Sequence, residues 1–290
     1  MMYVTYNQRS LYDAMAKVIA CTPTRDRRWS WEFSKMCMRM QKRKPDLWVV
    51  LDNSTSPAND WSVSKDFPGV LYERVYEPKT IGALRNRCLE IALEQGADYI
   101  VFWDDDDYYP PTRISTGVGA LEGNPDADIS ASSKMYMLLT RENVLMTVGP
   151  YGDRHGTAAT YTIRRRYAET HRFQDKAKGE ELEFTDHWSA NLIQVPAEEM
   201  IVVMGHGKNT VDKSDILKRP QVYLAAVLNA DNGRMVVRTR WPVPWEVFRT
   251  TFLTEACDRL REYNPLGEER REAHLNHHSG GIAECDGHRA

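Results

Sequence analysis

A chain of 290 residues with 42% hydrophobic and 27% charged residues and a formal net charge of -3 at pH 7 is long and apolar enough to bury its own core. Eight Trp, 14 Tyr and 7 Phe exclude a mostly disordered polymer, and the near-balanced charge excludes indiscriminate nucleic-acid binding. The cysteines Cys21, Cys37, Cys88, Cys257 and Cys285 form no CxxC pair, which predicts a reducing compartment. No run approaches the roughly 20 apolar residues of a membrane span, and the polar first ten residues lack a secretory pattern, so the expected setting is the cytoplasm.

In chain order, Val18-Ile19-Ala20-Cys21-Thr22-Pro23 predicts a buried strand closed by proline. Apolar Trp29, Phe33, Met36 and Met40 recur at three- and four-residue steps, predicting a helix over 29–44 that Pro45 stops. Leu47-Trp48-Val49-Val50-Leu51 reads as a second buried strand entering the turn formers Asp52-Asn53-Ser54. Helical spacing returns over 80–95 through Ile81, Leu84, Cys88, Ile91 and Ala92, with Gly96 as the C-terminal cap. A third strand, Tyr99-Ile100-Val101-Phe102-Trp103, delivers the chain into Asp104-Asp105-Asp106-Asp107.

This alternation predicts an α/β fold, a parallel sheet covered by helices, with ligands beyond the carboxyl ends of its strands. The second half is less regular. It reads as a strand pair or strand plus turn over 129–139, strands near 158–164, 192–195 and 200–204, and a helix over 245–263. From Asn264 onward no apolar periodicity remains, which predicts a mobile tail.

Four adjacent carboxylates repel one another and each costs desolvation when buried, so a strand end that concentrates them calls for a cation. Hard divalent ions such as Mg²⁺ or Mn²⁺ take oxygen ligands and leave positions open for phosphate. Asp52, at the end of the second strand, is placed to accept from a base or ribose hydroxyl, although Asp52-Asn53-Ser54 is equally a good turn.

Taken together, Val18 to Pro23, Val49 to Ser54, Gly82-Ala83-Leu84-Arg85-Asn86 and Tyr99 to Pro111 resemble the family 2 type of GT-A glycosyltransferase, over roughly the first 115 residues. The resemblance implies a Rossmann-like α/β/α sandwich. It further implies a domain over 1–215 (1–115 for the nucleotide sugar, 116–215 for the acceptor), a helical extension over 216–263 and a tail over 264–290. It places the metal-binding Asp-x-Asp on Asp104 and Asp106. Thr22, Pro23 and Arg25 would line the nucleotide pocket, with Asp52 and Asn53 at the base or ribose. Gly82, Arg85 and Asn86 would close over the nucleotide, and Asp105 would contact the donor.

Gly179-Glu180-Glu181 resembles the family's Gly-Glu-Asp segment, whose carboxylate serves as general base; Glu181 aligns best, then Glu180, with Asp186 as an outsider. In Gly205-His206-Gly207-Lys208, His206 would complete the metal shell and Lys208 would meet phosphate, while Asp153, His155, Gly156 and Thr157 fall where related enzymes bind acceptor.

The implied reaction is inverting, metal-dependent transfer from a nucleoside-diphosphate sugar, UDP-sugars foremost, to an acceptor hydroxyl. The acceptor stays open between a saccharide, glycan or protein and hydroxymethylated pyrimidine in phage-type DNA. The latter is prompted by eight Arg or Lys against two acids in residues 21–44, and by Arg164-Arg165-Arg166. A sugar-phosphate nucleotidyltransferase is the alternative enzyme, though Cys21 to Trp29 lacks the glycines of its phosphate loop. A binding module without turnover is the non-enzyme alternative.

Overall fold

The computed structural model describes residues 16–27, 30–55, 69–139, 144–206 and 209, and the backbone of 222–228 and 235–236. Its residues cluster into two compact units, one of residues 1–136 with 148–203 and one of 137–147 with 204–290.

The first unit is built on a seven-stranded sheet of β1 (Val18–Thr24), β2 (Leu47–Asp52), β3 (Val70–Arg74), β4 (Tyr99–Phe102), β5 (Ile129–Ala131), β8 (Thr162–Arg164) and β9 (Leu192–Gln194). The strand order is β3-β2-β1-β4-β8-β5-β9. Strands β3, β2, β1 and β4 run parallel; β8 is antiparallel to both β4 and β5. The pairing of Thr24 with Asp52 and of Cys21 with Phe102 brings the carboxyl ends of β1, β2 and β4 to one edge, where the sequence placed its ligand. Helices α1 (Ser30–Met40), α2 (Ile81–Glu94), α3 (Arg113–Glu122) and α4 (Arg165–Thr170) connect these strands.

Strands buried on both faces read as continuous apolar runs, and side-chain alternation shares their residues between two layers. Ile19, Cys21, Val49, Leu51, Ile100 and Phe102 form one cluster with Cys88, Leu89, Ile91 and Ala92 of α2. The opposite face carries Trp48 and Trp103, which meet α1: Trp31 lies 5.4 Å from Trp48 between ring centroids, and Trp103 Nε1 donates to Ser34 Oγ at 3.1 Å.

The predicted helix over 80–95 is present with its caps. Thr80 Oγ1 accepts from the Ala83 amide at 3.1 Å, and Gly96 takes the left-handed conformation at φ 75°. The predicted helix over 29–44 ends earlier, at Met40. Its buried residues are Ser30, Trp31, Phe33, Ser34, Cys37 and Met38, whereas Met36 and Met40 are only half-buried and Trp29 lies outside the described residues. The apolar pattern misplaced this face because Ser30, Ser34 and the following Gln41 are polar residues with buried partners; Gln41 donates to the Cys37 and Pro110 carbonyls and accepts from the Ile114 amide.

Strand β3 escaped the sequence reading. It is an edge strand with every residue half-buried, and Glu73 and Arg74 interrupt its apolar run. Helix α3 escaped because Gly117 and Gly119 dilute its pattern. Gly117 is needed where α3 crosses β8, since a Cβ there would lie 2.2 Å from Thr162 Oγ1. The strand expected over 158–164 is a 3-10 turn at Ala158–Thr160 followed by β8.

The Arg164-Arg165-Arg166 run is structural. Arg164 Nε donates to the Ala127 carbonyl at 2.8 Å and its Nη2 reaches the Leu121 carbonyl. Arg165 pairs with Glu169, and Arg166 with Asp128 at 2.6 Å and with the Pro125 carbonyl. Cations at carbonyl-rich helix ends satisfy orphan acceptors, which is the role these three side chains perform.

The second unit carries most of a five-stranded sheet in the order β10-β6-β7-β11-β12, adding β6 (Met135–Leu139), β7 (Val144–Val148), β10 (Val202–Gly205), β11 (Val222–Leu228) and β12 (Met235–Val236). Strands β11 and β12 pair antiparallel. The helix expected over 245–263 and the tail from 264 lie outside the described residues.

Gly82 tests the packing of α2. A Cβ there would stand 1.7 Å from the Gln174 carbonyl oxygen, a backbone atom that cannot swing away. Gly82→Ala is expected to cost about 2–3 kcal/mol through overpacking, read from the urea midpoint. A loss below about 0.5 kcal/mol, the range of neutral surface changes, would show that this segment is not fixed against the helix.

Candidate active site

Strand β4 ends at Phe102, and the next six residues fold into a closed turn. Tyr109 stacks on Trp103 with ring centroids 4.0 Å apart, and its hydroxyl accepts from the Asp104 amide at 2.7 Å. Tyr108 and Val202 exchange backbone hydrogen bonds at 3.0 and 2.9 Å. This pins the four aspartates in different environments. Asp105 is fully buried, Asp106 and Asp107 nearly so, while the Asp104 side chain keeps 27% of its surface exposed.

The buried acids are compensated by the protein itself. Arg27 Nη1 lies 2.7 Å from Asp105 Oδ1 and 2.9 Å from Asp106 Oδ2. The other Asp105 oxygen accepts from Thr24 at 2.5 Å and Ser30 at 3.2 Å. Burial pushes the Asp105 carboxyl up to about 6 against the pull of Arg27. Burial also disfavours the Arg27 cation, but Asp106 and Asp105 outweigh it and hold the guanidinium charged beyond its ordinary range. The cation that the sequence sought in a metal is thus partly Arg27, which the linear reading placed in a basic surface patch. Only the tertiary contact identifies it.

Arg85 supplies the second compensation. From the inner face of α2 it reaches Glu180 with Nη1 and Asp104 with Nη2, the latter at 3.2 Å. Its guanidinium lies over the rings of Phe102 and Phe173. Burial works against its charge, and Asp104 and Glu180 together overcome that and raise it above the normal range. Burial pushes the Glu180 carboxyl up, with Arg85 opposing. The carboxylate after β4 and the segment before helix α5 (Glu181–Phe184) are therefore joined through one buried guanidinium.

Glu181 differs from its neighbour. It is half-buried, and among the described residues its carboxylate makes no ion pair or hydrogen bond. Asp186 is exposed and faces His171 Nε2 at 3.1 Å.

At the end of β2, Asp52 accepts from the Ser54 amide at 2.9 Å and from Tyr72 Oη at 2.8 Å. Burial, then the Asp52 contact, pushes the Tyr72 phenol up to about 12. Asn53 donates to the Val75 and Glu77 carbonyls and accepts from the Lys79 amide, which ties the loop after β3 to β2. That loop displays Tyr76, 83% exposed with the Arg74 guanidinium over its ring, an aromatic the sequence reading passed over along with β3.

Thr22 accepts from Trp48 Nε1 at 2.8 Å, Pro23 pairs with Leu51 inside the sheet, and Arg25 is half-exposed beside Asp26. Asn86 exchanges two hydrogen bonds with the Phe173 backbone, and Gly82 packs on Gln174, so both fix the segment that leads to Glu180.

The acceptor candidates occupy one turn. Gln194 Nε2 binds the Asp153 and His155 carbonyls, Gly156 is packed against Ala131 and Tyr161, and the Thr157 carbonyl accepts from Thr160. His206 belongs to the second unit, where its amide donates to Asn209 Oδ1 at 2.6 Å. Lys208 lies outside the described residues.

No group of three or more His, Cys, Asp or Glu side chains among the described residues is placed to hold a metal alone. Asp104 and the rim of Asp106 fit the other mode open to Mg²⁺-type ions, one or two carboxylates with the remaining positions filled by phosphate and water.

Removing Arg27 leaves a buried carboxylate uncompensated. Arg27→Ala is expected to cost about 3–5 kcal/mol by denaturant titration, and adding Asp105→Asn should recover part of it. Strict additivity of the two losses would contradict the pairing.

Residues 37–181 match the model of the family described as glycosyl transferase family 2. No curated protein sequence matches. Among solved structures, the chain is similar to the mannosyltransferase PcManGT from Pyrobaculum calidifontis in complex with GDP-Man and Mn2+. The identity there is 14% and the TM-score 0.50, over 68% of this chain and 59% of that one. It is also similar to S. aureus TarS 1-349 in complex with UDP, at 14% identity and TM-score 0.51, over 65% and 60%. The chain thus spans about three fifths of the length of each solved protein. At such identity the likeness speaks for the fold, which is of the GT-A glycosyltransferase type. The family match covers half of the chain, from α1 to the first residue of α5, and the chain belongs to glycosyl transferase family 2.

Proposed function

We propose that the chain transfers a sugar from a nucleoside-diphosphate donor to an acceptor hydroxyl, with inversion, at the edge formed by β1, β2 and β4. The observation that carries this reading is the Arg85 bridge, which ties the acidic turn to the Glu180-Glu181 segment from more than 70 residues away. Membership of the glycosyl transferase family and likeness to proteins bound to GDP-Man and UDP support it.

Each side chain then has a task. Asp52 and Asn53 hold the base and ribose side of the donor at the end of β2. A divalent ion, Mn²⁺ or Mg²⁺, would be held by Asp104 and Asp106 and would supply positive charge to the departing diphosphate. Arg85 keeps Asp104 oriented and, through Glu180, fixes the start of α5. Glu181, half-exposed and unpaired among the described residues, takes the acceptor proton as the hydroxyl attacks the anomeric carbon. Glu180 is spent on Arg85, so it positions rather than abstracts.

A hydroxyl-bearing saccharide is the acceptor we favour over DNA. A phosphate backbone needs uncommitted cations, and four of those that prompted the DNA reading are committed, Arg164, Arg165 and Arg166 to carbonyls and carboxylates and Arg27 to the aspartates.

Thermal unfolding with UDP- and GDP-sugars, with and without Mn²⁺, tests the donor. A ligand at a hundred times its Kd adds about 2.7 kcal/mol. The expected result is a Mn²⁺-dependent rise in Tm that Asp106→Ala abolishes. Glu181→Gln should keep that rise and lose transfer by about 10² or more. Full turnover in Glu181→Gln would reject it as the base.

A further inference from the structure

Immediately after α5 the backbone does something costly. Asp186, His187 and Trp188 take φ values of 48°, 57° and 64°, three successive left-handed residues, none of them glycine. Bulky side chains avoid this region at roughly 1–2 kcal/mol each, and such strain persists where the surroundings over-determine it. Backbone hydrogen bonds hold it: the His187 amide donates to Leu182 at 2.7 Å, and the Ser189 and Ala190 amides donate to Thr185, each at 3.0 Å.

The result is the display of one ring. Trp188, only half-buried, lies with its ring centroid 4.3 Å from that of His155, tilted by 34°. His155 in turn lies 5.0 Å from Tyr151, a ring left 40% exposed. The two loops are locked together, with Arg154 Nη1 donating to the Ser189 carbonyl at 3.1 Å and Gln194 holding the 153–155 backbone.

His155 Nδ1 is covered and has no hydrogen-bond partner, so among the described residues no hydrogen bond at that nitrogen orients the imidazole; the stack does. Burial pushes this imidazole down, with the Glu181 carboxylate opposing the shift. The turn that carries Trp188 closes directly on the helix that begins at Glu181, with the Thr185 amide donating to the Glu181 carbonyl at 2.9 Å and the His187 amide to that of Leu182.

We propose that Tyr151, His155 and Trp188 form an aromatic platform that receives a pyranose ring of the acceptor next to Glu181. Aromatic faces carry negative quadrupole charge, and one face of a pyranose presents several axial C–H groups with partial positive charge. A partly exposed cluster of rings, tilted by 34° and 51° to one another, therefore selects a cyclic sugar over an open-chain polyol with the same hydroxyls. The proposal rests on Glu181 being the base of a sugar transfer. It identifies the acceptor as a pyranoside, and neither the family match nor the solved structures assign these three residues.

The test uses saturation-transfer difference NMR on the full chain, with methyl pyranosides of glucose, galactose, mannose and N-acetylglucosamine, mannitol as the open-chain control, and UDP with Mn²⁺ present. At least one pyranoside should receive saturation concentrated on one C–H face, and mannitol none. Trp188→Gly removes the ring and suits the left-handed backbone, so its Tm should hold or rise while pyranoside affinity falls about tenfold or more; Trp188→Phe should retain most of it.

Should Trp188→Gly lower Tm, Tyr151→Ala at the exposed end provides the same readout. Undiminished binding in both variants would overturn the platform. So would a wild-type chain that shows the donor-dependent Tm rise yet binds no pyranoside. Pyranoside binding that depends on Trp188 in a chain with no donor response would uphold the platform and reject the donor reading instead.

Discussion

Burying carboxylates beside one another is the constraint around which this fold is arranged. Asp105 is inaccessible to solvent, Asp106 almost so, and a pair of such charges is tolerated only with a counter-ion in contact and hydrogen bonds to the more deeply buried oxygens. Arg27 provides the counter-ion, from the loop between β1 and α1, while Thr24 at the end of β1 and Ser30 at the start of α1 both donate to the second Asp105 oxygen. Part of the polar inner face of α1 follows from this, since Ser30 supplies one of the hydrogen bonds to Asp105, while Ser34 serves Trp103. Even the stacking of Tyr109 on Trp103 serves the same turn by closing it over the buried acids.

Arg85 extends that arrangement across the sheet. With its guanidinium enclosed by Phe102 and Phe173, its interactions with Asp104 and Glu180 are poorly screened, and the two acids cannot drift apart without exposing a buried cation. Packing reinforces the link: Gly82 admits the Gln174 backbone, and Asn86 clamps Phe173. Three residues within one turn and a half of α2 thereby fix the chain that leads into Glu181. A side chain at the start of so short a helix gains its precision from such support rather than from the helix itself.

The parts legible in the sequence were those with local signals. Strands β1, β2 and β4, buried on both faces, announce themselves as apolar runs, and α2 carries its own cap in Thr80 and Gly96. The aspartates stood out as four consecutive acids at a strand end, while Glu181 was singled out only by the resemblance of Gly179-Glu180-Glu181 to the family's Gly-Glu-Asp segment. What stayed hidden depends on tertiary context. Edge strand β3 is half-exposed, α3 needs Gly117 for a crossing, and Arg27, Arg85 and Arg164 to Arg166 reveal their roles only through partners dozens of residues away. Trp188 gave no signal, because a left-handed conformation at a tryptophan is not encoded by any turn-forming residue at that position.

The central claim is that the acidic turn, already neutralised in its interior, presents Asp104 and the edge of Asp106 to a metal shared with a nucleoside diphosphate. Anomalous diffraction from crystals grown with UDP and Mn²⁺ addresses it directly. The account predicts a manganese peak bonded to one or both of these carboxylates and to the diphosphate, with Arg27 still on Asp105 and Arg85 still on Glu180. Manganese found elsewhere, or UDP bound with both carboxylates turned away from it, would contradict the account.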